Sequence, residues 1–197
     1  MHIFHSIDDP ALSGLLRQGA VGVLPTDTVY GLVCQAANET AVSRLYGLKQ
    51  RENKPGPIIA GKLQQLIDLG LRARYLKAVE QYWPNPLSVV IPCGEDLQYL
   101  HQGQQSLAVR IPADEPLRAL LGRTGALLTT SANAPGEPTA TNLTEAQAYF
   151  GEAVDFYVDG GTITSPVPST VIRIVDDAIE VLRAGAVNID ENGRISS

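Results

Sequence analysis

Apolar residues recur in this chain in two rhythms, one helical and one extended, and they alternate along most of its length. Asp8 and Asp9 before Pro10 mark a helix start, and "ALSGLLRQ" (11–18) carries apolar residues at helical spacing until Gly19 ends it. "AVGVL" (20–24) then reads as a buried strand, "PTDT" as the loop after it, and "VYGLVCQA" (29–36) as a second strand. Asn38 is placed to cap a helix with Ala41, Val42, Leu45 and Leu48 on one face. "PIIA" (57–60) is a short strand, and helices are predicted over 63–69 and 73–83. Strands follow at "LSVVIP" (87–92) and "LAVRIP" (107–112). Beyond them come a helix at 115–122, a strand over 125–132 that ends in polar residues, a helix at 144–151 and a strand at 154–159. A hairpin turning at Asp176 and Asp177 closes the pattern.

Helix and strand in alternation predict an α/β fold, and the final hairpin makes the sheet mixed rather than purely parallel. Ligands of such sheets gather at strand ends, so the polar exits "LPTDT", "VRIP" and "TTSAN" are where chemistry is expected. A chain of 197 residues suits one domain, here residues 1–197 with a motif-bearing core at about 8–186 and a tail at 187–197. Hydrophobic residues make up 44% and charged residues 18%, and no stretch approaches the roughly 20 apolar residues of a membrane span. The start lacks the basic-then-apolar layout of a secretory signal. The two cysteines, Cys34 and Cys93, make no disulfide framework, so a cytoplasmic protein is expected. The net charge of −6 repels nucleic acid and nucleotides, so any polyanion site must be a local cluster of cations.

Such a cluster lies in "LYGLKQRENKPGPIIAG" (45–61), where Lys49, Arg51 and Lys54 crowd beside a Pro/Gly break. Cations in a helix's last turn are favoured by its dipole, but crowding costs repulsion unless an anion relieves it. "GPIIAGK" (56–62) imitates a phosphate-binding P-loop, yet Leu63 cannot hold Mg²⁺ and the middle of the stretch is strand-like. His2, His5 and His101 have no metal-ligand spacing and read as surface or structural residues. "TTSAN" (129–133) sets three hydroxyls and an amide at a strand exit, suited to phosphate, ribose or amino-acid groups, and equally to a simple turn. "PST" (168–170) repeats the arrangement, and Arg110 and Arg183 sit on strands or their ends.

Taken in order, "LPTDTVYGL", "LKQR", "WPNPLSVVIP", "SLAVRIP", "TTSAN", "PSTVIRI" and "VLRAG" resemble the YrdC/Sua-type threonylcarbamoyl-AMP synthase family over residues 14–185. The length is similar to its short bacterial TsaC-like form. The resemblance implies a twisted mixed sheet around a concave, positively lined cavity. It also implies a nucleotidyltransfer: L-threonine, bicarbonate and ATP, with Mg²⁺, give threonylcarbamoyl-AMP and pyrophosphate. That product serves tRNA threonylcarbamoyladenosine synthesis with other bacterial threonylcarbamoylation proteins, with weak tRNA contact and no membrane. By motif, Lys49 and Arg51 would be catalytic and hold ATP phosphates, with Asn53 near them. Ser106, Ser131, Asn133, Thr139 and Arg183 would complete the ATP site, while Thr26, Arg110, Thr129 and Ser169 would bind threonine, Arg110 at its carboxylate.

The chemistry agrees, because a threonine carbamate attacking the α-phosphorus needs positioning and charge rather than an enzyme nucleophile. One departure stands out: Glu52 occupies the proline position of the family's Lys-x-Arg-Pro pattern. Repulsion from phosphate predicts that Glu52 points away from the cavity, toward Lys54 or Arg51. Two other readings remain open, a double-stranded RNA or tRNA-binding module and carbamoyl transfer to another acceptor. With 15 basic against 21 acidic residues, RNA binding lacks an obvious basic stripe.

Overall fold

The chain opens on a strand that periodicity did not mark, β1 (His2–Phe4), too short to display a rhythm of its own. The computed structural model describes every residue except Arg51, Asp177 and Ser197. After β1 come α1 (Pro10–Arg17), β2 (Gly22–Pro25), β3 (Tyr30–Gln35), α2 (Glu39–Lys49) and β4 (Ile58–Ile59). Two short helices, α3 (Leu63–Asp68) and α4 (Ala73–Ala78), lead to β5 (Leu87–Pro92), α5 (Gln98–His101) and β6 (Ser106–Arg110). The rest is α6 (Glu115–Thr124), β7 (Leu127–Ser131), α7 (Leu143–Phe150), β8 (Phe156–Val158), the hairpin β9 (Thr170–Val175) and β10 (Ala178–Arg183), then β11 (Asn188–Ile189) and β12 (Ile195–Ser196). The single helix expected over 73–83 divides into α4 and a short 3₁₀ turn at Glu80–Tyr82. The expected tail at 187–197 instead carries the small β11/β12 hairpin.

Side-chain caps explain where the main helices begin. Asp9, Asn38, Asp114 and Asn142 accept hydrogen bonds from the backbone N–H groups of Ala11, Ala41, Leu117 and Glu145, each satisfying a donor that the first helical turn leaves open. The strands contribute to a ten-stranded mixed sheet in the order β1-β8-β2-β3-β7-β4-β6-β5-β9-β10. Pairs β1/β8, β2/β8, β4/β6 and β5/β9 are parallel, and the others antiparallel.

Both faces of the sheet centre are covered, which is why its strands are continuous apolar runs rather than alternating ones. Leu24, Val33, Ile59 and Leu127 pack with Leu12 and Leu16 of α1 and Leu117, Leu120 and Leu121 of α6. Their strand neighbours Val23, Leu32, Ile58 and Leu128 enter the larger core with Val42 and Leu45 of α2. Ile58–Ile59 is thereby a buried central strand, which disposes of the P-loop imitation. His101 is fully buried and structural: its Nδ1 accepts from the N–H groups of Gly103 and Gln105.

Candidate active site

Sheet order sets a geometric problem. Seven strand steps separate β2 from β10, and at about 4.8 Å each a flat sheet would hold them roughly 34 Å apart. Yet a continuous series of side-chain contacts joins the loop after β2 to the end of β10. Arg110 of β6 donates through Nη2 to Asp27 Oδ1 at 2.7 Å and to Thr28 Oγ1 at 3.3 Å, and through Nη1 to Ser169 Oγ at 3.4 Å. Arg183 at the end of β10 donates from Nε and Nη2 to the Ser169 carbonyl at 3.0 and 2.7 Å, and from Nη2 to its hydroxyl at 3.1 Å. The sheet is therefore strongly curved, and the concave side is the site.

Two clefts meet there. The inner one has a cavity volume of about 80 Å³ and is lined by Thr26, Thr28 and Val29 after β2, Arg110, Thr129 to Ser131 of β7, Ser169 and Arg183, with Pro57 and Pro168 completing it. The outer one, about 380 Å³, is lined by Lys49, Gln50, Glu52, Lys54, Ser131, Asn133, Pro135 and Gly136. Ser131 belongs to both, so the clefts adjoin at the end of β7.

Close backbone approach makes the inner cleft possible at two glycines. A Cβ on Gly31 of β3 would lie 2.7 Å from Thr129 Oγ1 and 3.1 Å from Thr26 Cγ2, so a side chain there would part the two hydroxyl residues. Gly185, in the "RAG" segment after β10, sits directly on the backbone of Pro168 and Ser169, where any side chain would collide.

Each cleft holds a buried cation, differently partnered. The Arg110 and Asp27 side chains are each 4% exposed, and their ion pair is held by a single short contact. Arg110 Nε and Asp27 Oδ2 are buried without a hydrogen-bond partner. In the outer cleft Lys49 is also buried, and its ammonium donates to the carbonyls of Ser131 and Asn133 at 2.9 and 2.5 Å and to Asn133 Oδ1 at 2.8 Å. Ser131 Oγ donates to the same Asn133 Oδ1 at 2.6 Å. Lys49 thus ties the C-terminus of α2 to the loop after β7 and shapes that loop.

The two thiols are far from any nucleophilic state. Burial pushes Cys34 up to about 12, and burial with the nearby Glu95 charge pushes Cys93 up to about 11, so both stay protonated near neutrality. Tyr30 is likewise raised, mainly by burial, and its hydroxyl accepts from Gly160 N–H and donates to the Gly161 carbonyl.

Measured against the sequence, the structure brings Thr26, Arg110, Thr129, Ser131, Ser169 and Arg183 into one cleft, and Lys49 and Asn133 into the adjoining one. Arg183, expected with the nucleotide, lies in the cleft of the residues expected to bind threonine. Ser106 shares a face of β6 with Arg110 but sits four positions earlier, about 13 Å along the strand; its hydroxyl donates to the Gln104 carbonyl, and it lines neither cleft. Thr139 is half-buried beside Ala140, whose N–H donates to the Ala132 carbonyl. Asn53 is exposed with φ of 55°, and its carbonyl accepts from Gln104 Nε2. Arg51 lies outside the described residues. Glu52 corrects an expectation: it is exposed, but it lines the outer cleft with Lys49 rather than standing clear of it.

Asp27 and Thr28 are functional neighbours that sequence reasoning did not single out. A signal existed, since a strand arginine that is to be buried needs a carboxylate partner, and "PTDT" sets one at a strand exit. Lys49 was legible too: Ala41, Val42, Leu45, Tyr46 and Lys49 form one helical stripe, and all five are buried.

A family model described as "Telomere recombination" (Sua5/yciO/yrdC) matches residues 14–185. The threonylcarbamoyl-AMP synthase of Chromohalobacter salexigens is 39% identical over 162 residues, covering 79% of this chain and 86% of that protein. The enzyme of the same name from Idiomarina loihiensis is 35% identical, covering 79% and 87%. Among solved structures, P. abyssi Sua5 complexed with L-threonine matches with a TM-score of 0.84 and 28% identity over 96% of this chain. The chain spans 59% of that archaeal protein.

Proposed function

Since the chain belongs to the Sua5/yciO/yrdC family, we propose that it is a threonylcarbamoyl-AMP synthase whose inner cleft takes L-threonine and whose outer cleft takes the phosphates of ATP. It joins L-threonine, bicarbonate and ATP into threonylcarbamoyl-AMP and pyrophosphate, the activated intermediate for tRNA threonylcarbamoyladenosine. The observation that carries the assignment of clefts is their junction at Ser131. A small buried pocket with an arginine and hydroxyls opens there onto a wider cleft with lysines.

In this reading Arg110 and Ser169 receive the threonine carboxylate, because a planar guanidinium suits a carboxylate and its Nη1 is held only by a long contact to Ser169. Thr26 and Thr129 face the threonine hydroxyl. The amine condenses with bicarbonate and loses water, and the resulting carbamate oxygen attacks the α-phosphorus as pyrophosphate leaves. No protein group bonds to substrate. The protein supplies proximity and positive charge, from Arg183 on the inner side, from Lys49 on the outer and, by motif, from Arg51. For Lys49 to reach phosphate, the contact to the Asn133 Oδ1 side chain is one it can exchange, whereas the Ser131 and Asn133 carbonyls are backbone.

Mg²⁺ accompanies ATP and neutralises part of the phosphate charge. Glu52 and Asn133 line the outer cleft with the hard oxygen donors that Mg²⁺ accepts, and among the described residues no group of three or more His, Cys, Asp or Glu forms a cage of its own. The metal would arrive held mainly by phosphate and water. Among the described residues no helix is long and apolar enough to cross a membrane. tRNA contact should be weak and fall steeply with salt.

Pyrophosphate release from ATP, measured with threonine or bicarbonate omitted in turn, tests the assignment. Release is expected only with both, and equal release without either overturns it.

A further inference from the structure

Arg110 does not stand alone in the inner cleft, and its partner has a consequence for which molecules can enter. A cation set to hold a carboxylate is most attractive when unopposed, yet here Asp27 Oδ1 lies 2.7 Å from Arg110 Nη2 with both side chains almost wholly buried. At that separation the Asp27 charge cancels part of the Arg110 charge for a ligand a few ångströms away. The pocket adds hydroxyls, prolines and Val29 until Arg183 at its rim, whose guanidinium is turned onto the Ser169 backbone carbonyl and hydroxyl.

The pair is also incompletely bonded. Asp27 Oδ2 and Arg110 Nε are both buried without a hydrogen-bond partner, one an acceptor and one a donor. A bidentate pair would have satisfied both atoms at once. The end-on contact instead leaves Asp27 Oδ2 and Arg110 Nε uncommitted. Leaving such groups unsatisfied in a core is costly, and such sites are where a ligand or a change of geometry completes the bonding.

Resting on the reading of Arg110 as the carboxylate site, we propose that Asp27 is a specificity-determining residue. Its carboxylate balances Arg110, so that the inner cleft accepts a zwitterionic α-amino acid and disfavours an acid that lacks the ammonium group. Asp27 stands behind the wall that Thr26 and Thr28 give the cleft, and acts through its field: it attracts the ammonium of a zwitterion, whereas a simple carboxylate meets only an Arg110 charge that Asp27 has weakened. The selection works partly against the wrong ligand rather than only for the right one.

Calorimetric titration of L-threonine and of (R)-3-hydroxybutyrate, which has the same carboxylate and hydroxyl but no amine, tests this on wild-type protein and on Asp27→Asn. Wild type is expected to prefer threonine by about tenfold or more, the scale of one charge-assisted interaction. Asp27→Asn should weaken threonine and strengthen hydroxybutyrate, shrinking or reversing the preference. If Asp27 only props Arg110 in place, both ligands weaken together and the ratio stays, which overturns the proposal while leaving the functional reading intact. A thermal melt identifies a variant that does not fold. Wild-type titrations then still decide, because equal affinity for the two ligands overturns the proposal without any variant. Failure of wild type to bind threonine at all overturns both this proposal and the reading beneath it.

Discussion

The inner and outer clefts meet at one residue but are built from different material. The inner cleft is walled by strand ends and their flanking turns, and Thr28, Arg110, Thr129, Thr130 and Ser169 are all buried. The outer cleft is walled by the end of α2 and the segment beyond it, where Gln50 and Asn53 adopt positive φ and Glu52 and Lys54 are exposed. Strand positions are fixed by ladder hydrogen bonds on both sides, so a small ligand meets groups already in place. A loop can adjust, which suits a long polyphosphate with its metal and water. Under the proposed assignment of the clefts, this contrast means that a small ligand in the inner cleft would meet a preorganised site, whereas a phosphate in the outer one would meet exposed loop groups that can adjust to it.

Removing Arg110 should produce the largest effect and the sharpest contrast. Arg110→Ala strands a buried Asp27 carboxylate, and the expected loss is about 3 to 5 kcal/mol of stability as well as turnover, read by urea denaturation and pyrophosphate release. The double variant Arg110→Met with Asp27→Asn should recover much of the stability and none of the activity. Unchanged stability in Arg110→Ala would mean that the inner cleft is no more rigid than the outer.

Next in size are Lys49→Ala and Arg183→Ala, each expected to cut turnover by a factor of tens, since hydrogen bonds to charged groups contribute about 1.5 to 3 kcal/mol. Wild-type rates in both would remove the charge assignment of the clefts. Lys49→Ala should also loosen the 131–133 segment it anchors, seen as faster amide exchange there.

Glu52 tests the adaptable side more gently. Because it lines the outer cleft while remaining exposed, its repulsion of phosphate is screened, and Glu52→Gln and Glu52→Pro should keep most turnover. Their Michaelis constant for ATP should stay level or fall by up to about fivefold, in line with the modest energies of exposed charges. Abolished turnover in Glu52→Gln would show that the carboxylate takes part, through Mg²⁺.

The smallest effect lies outside both clefts and calibrates them. Burial alone would raise the Asp155 pKa, but the hydrogen bond from Arg44, the Val21 N–H and the Arg44 charge outweigh it and hold the carboxyl below its usual 3.8. A depressed folded-state pKa means stability that is present above that usual value and is lost as pH falls through the lower folded one. With side chains 41% and 36% exposed, the pair is expected to contribute less than about 1 kcal/mol. Asp155→Asn should therefore flatten the acid limb of a stability profile only slightly, and a large loss at neutral pH would contradict this.

Much of this protein is written locally. Caps at Asp9 and Asn38, the apolar strand runs and the β9/β10 hairpin depend on neighbours within a few residues, so hydrophobic rhythm and turn chemistry were enough to place them. The short β1 escaped because its three residues gain their order from pairing with β8, more than 150 positions away. The site residues were recognisable as ordered motifs, but their grouping was not. Curvature of the sheet decides that Arg183 of β10 stands with Thr26 after β2, and no local signal encodes the bend of ten strands. The same holds for Asp27, an ordinary turn aspartate by composition, whose pairing with an arginine 83 positions later becomes visible only when burial makes a lone charge untenable. Sequence alone determined most of the helix and strand segments and which residue types the chemistry needs. Tertiary structure decided which charges face one another, because electrostatic partnership depends on distance and burial, and folding sets both.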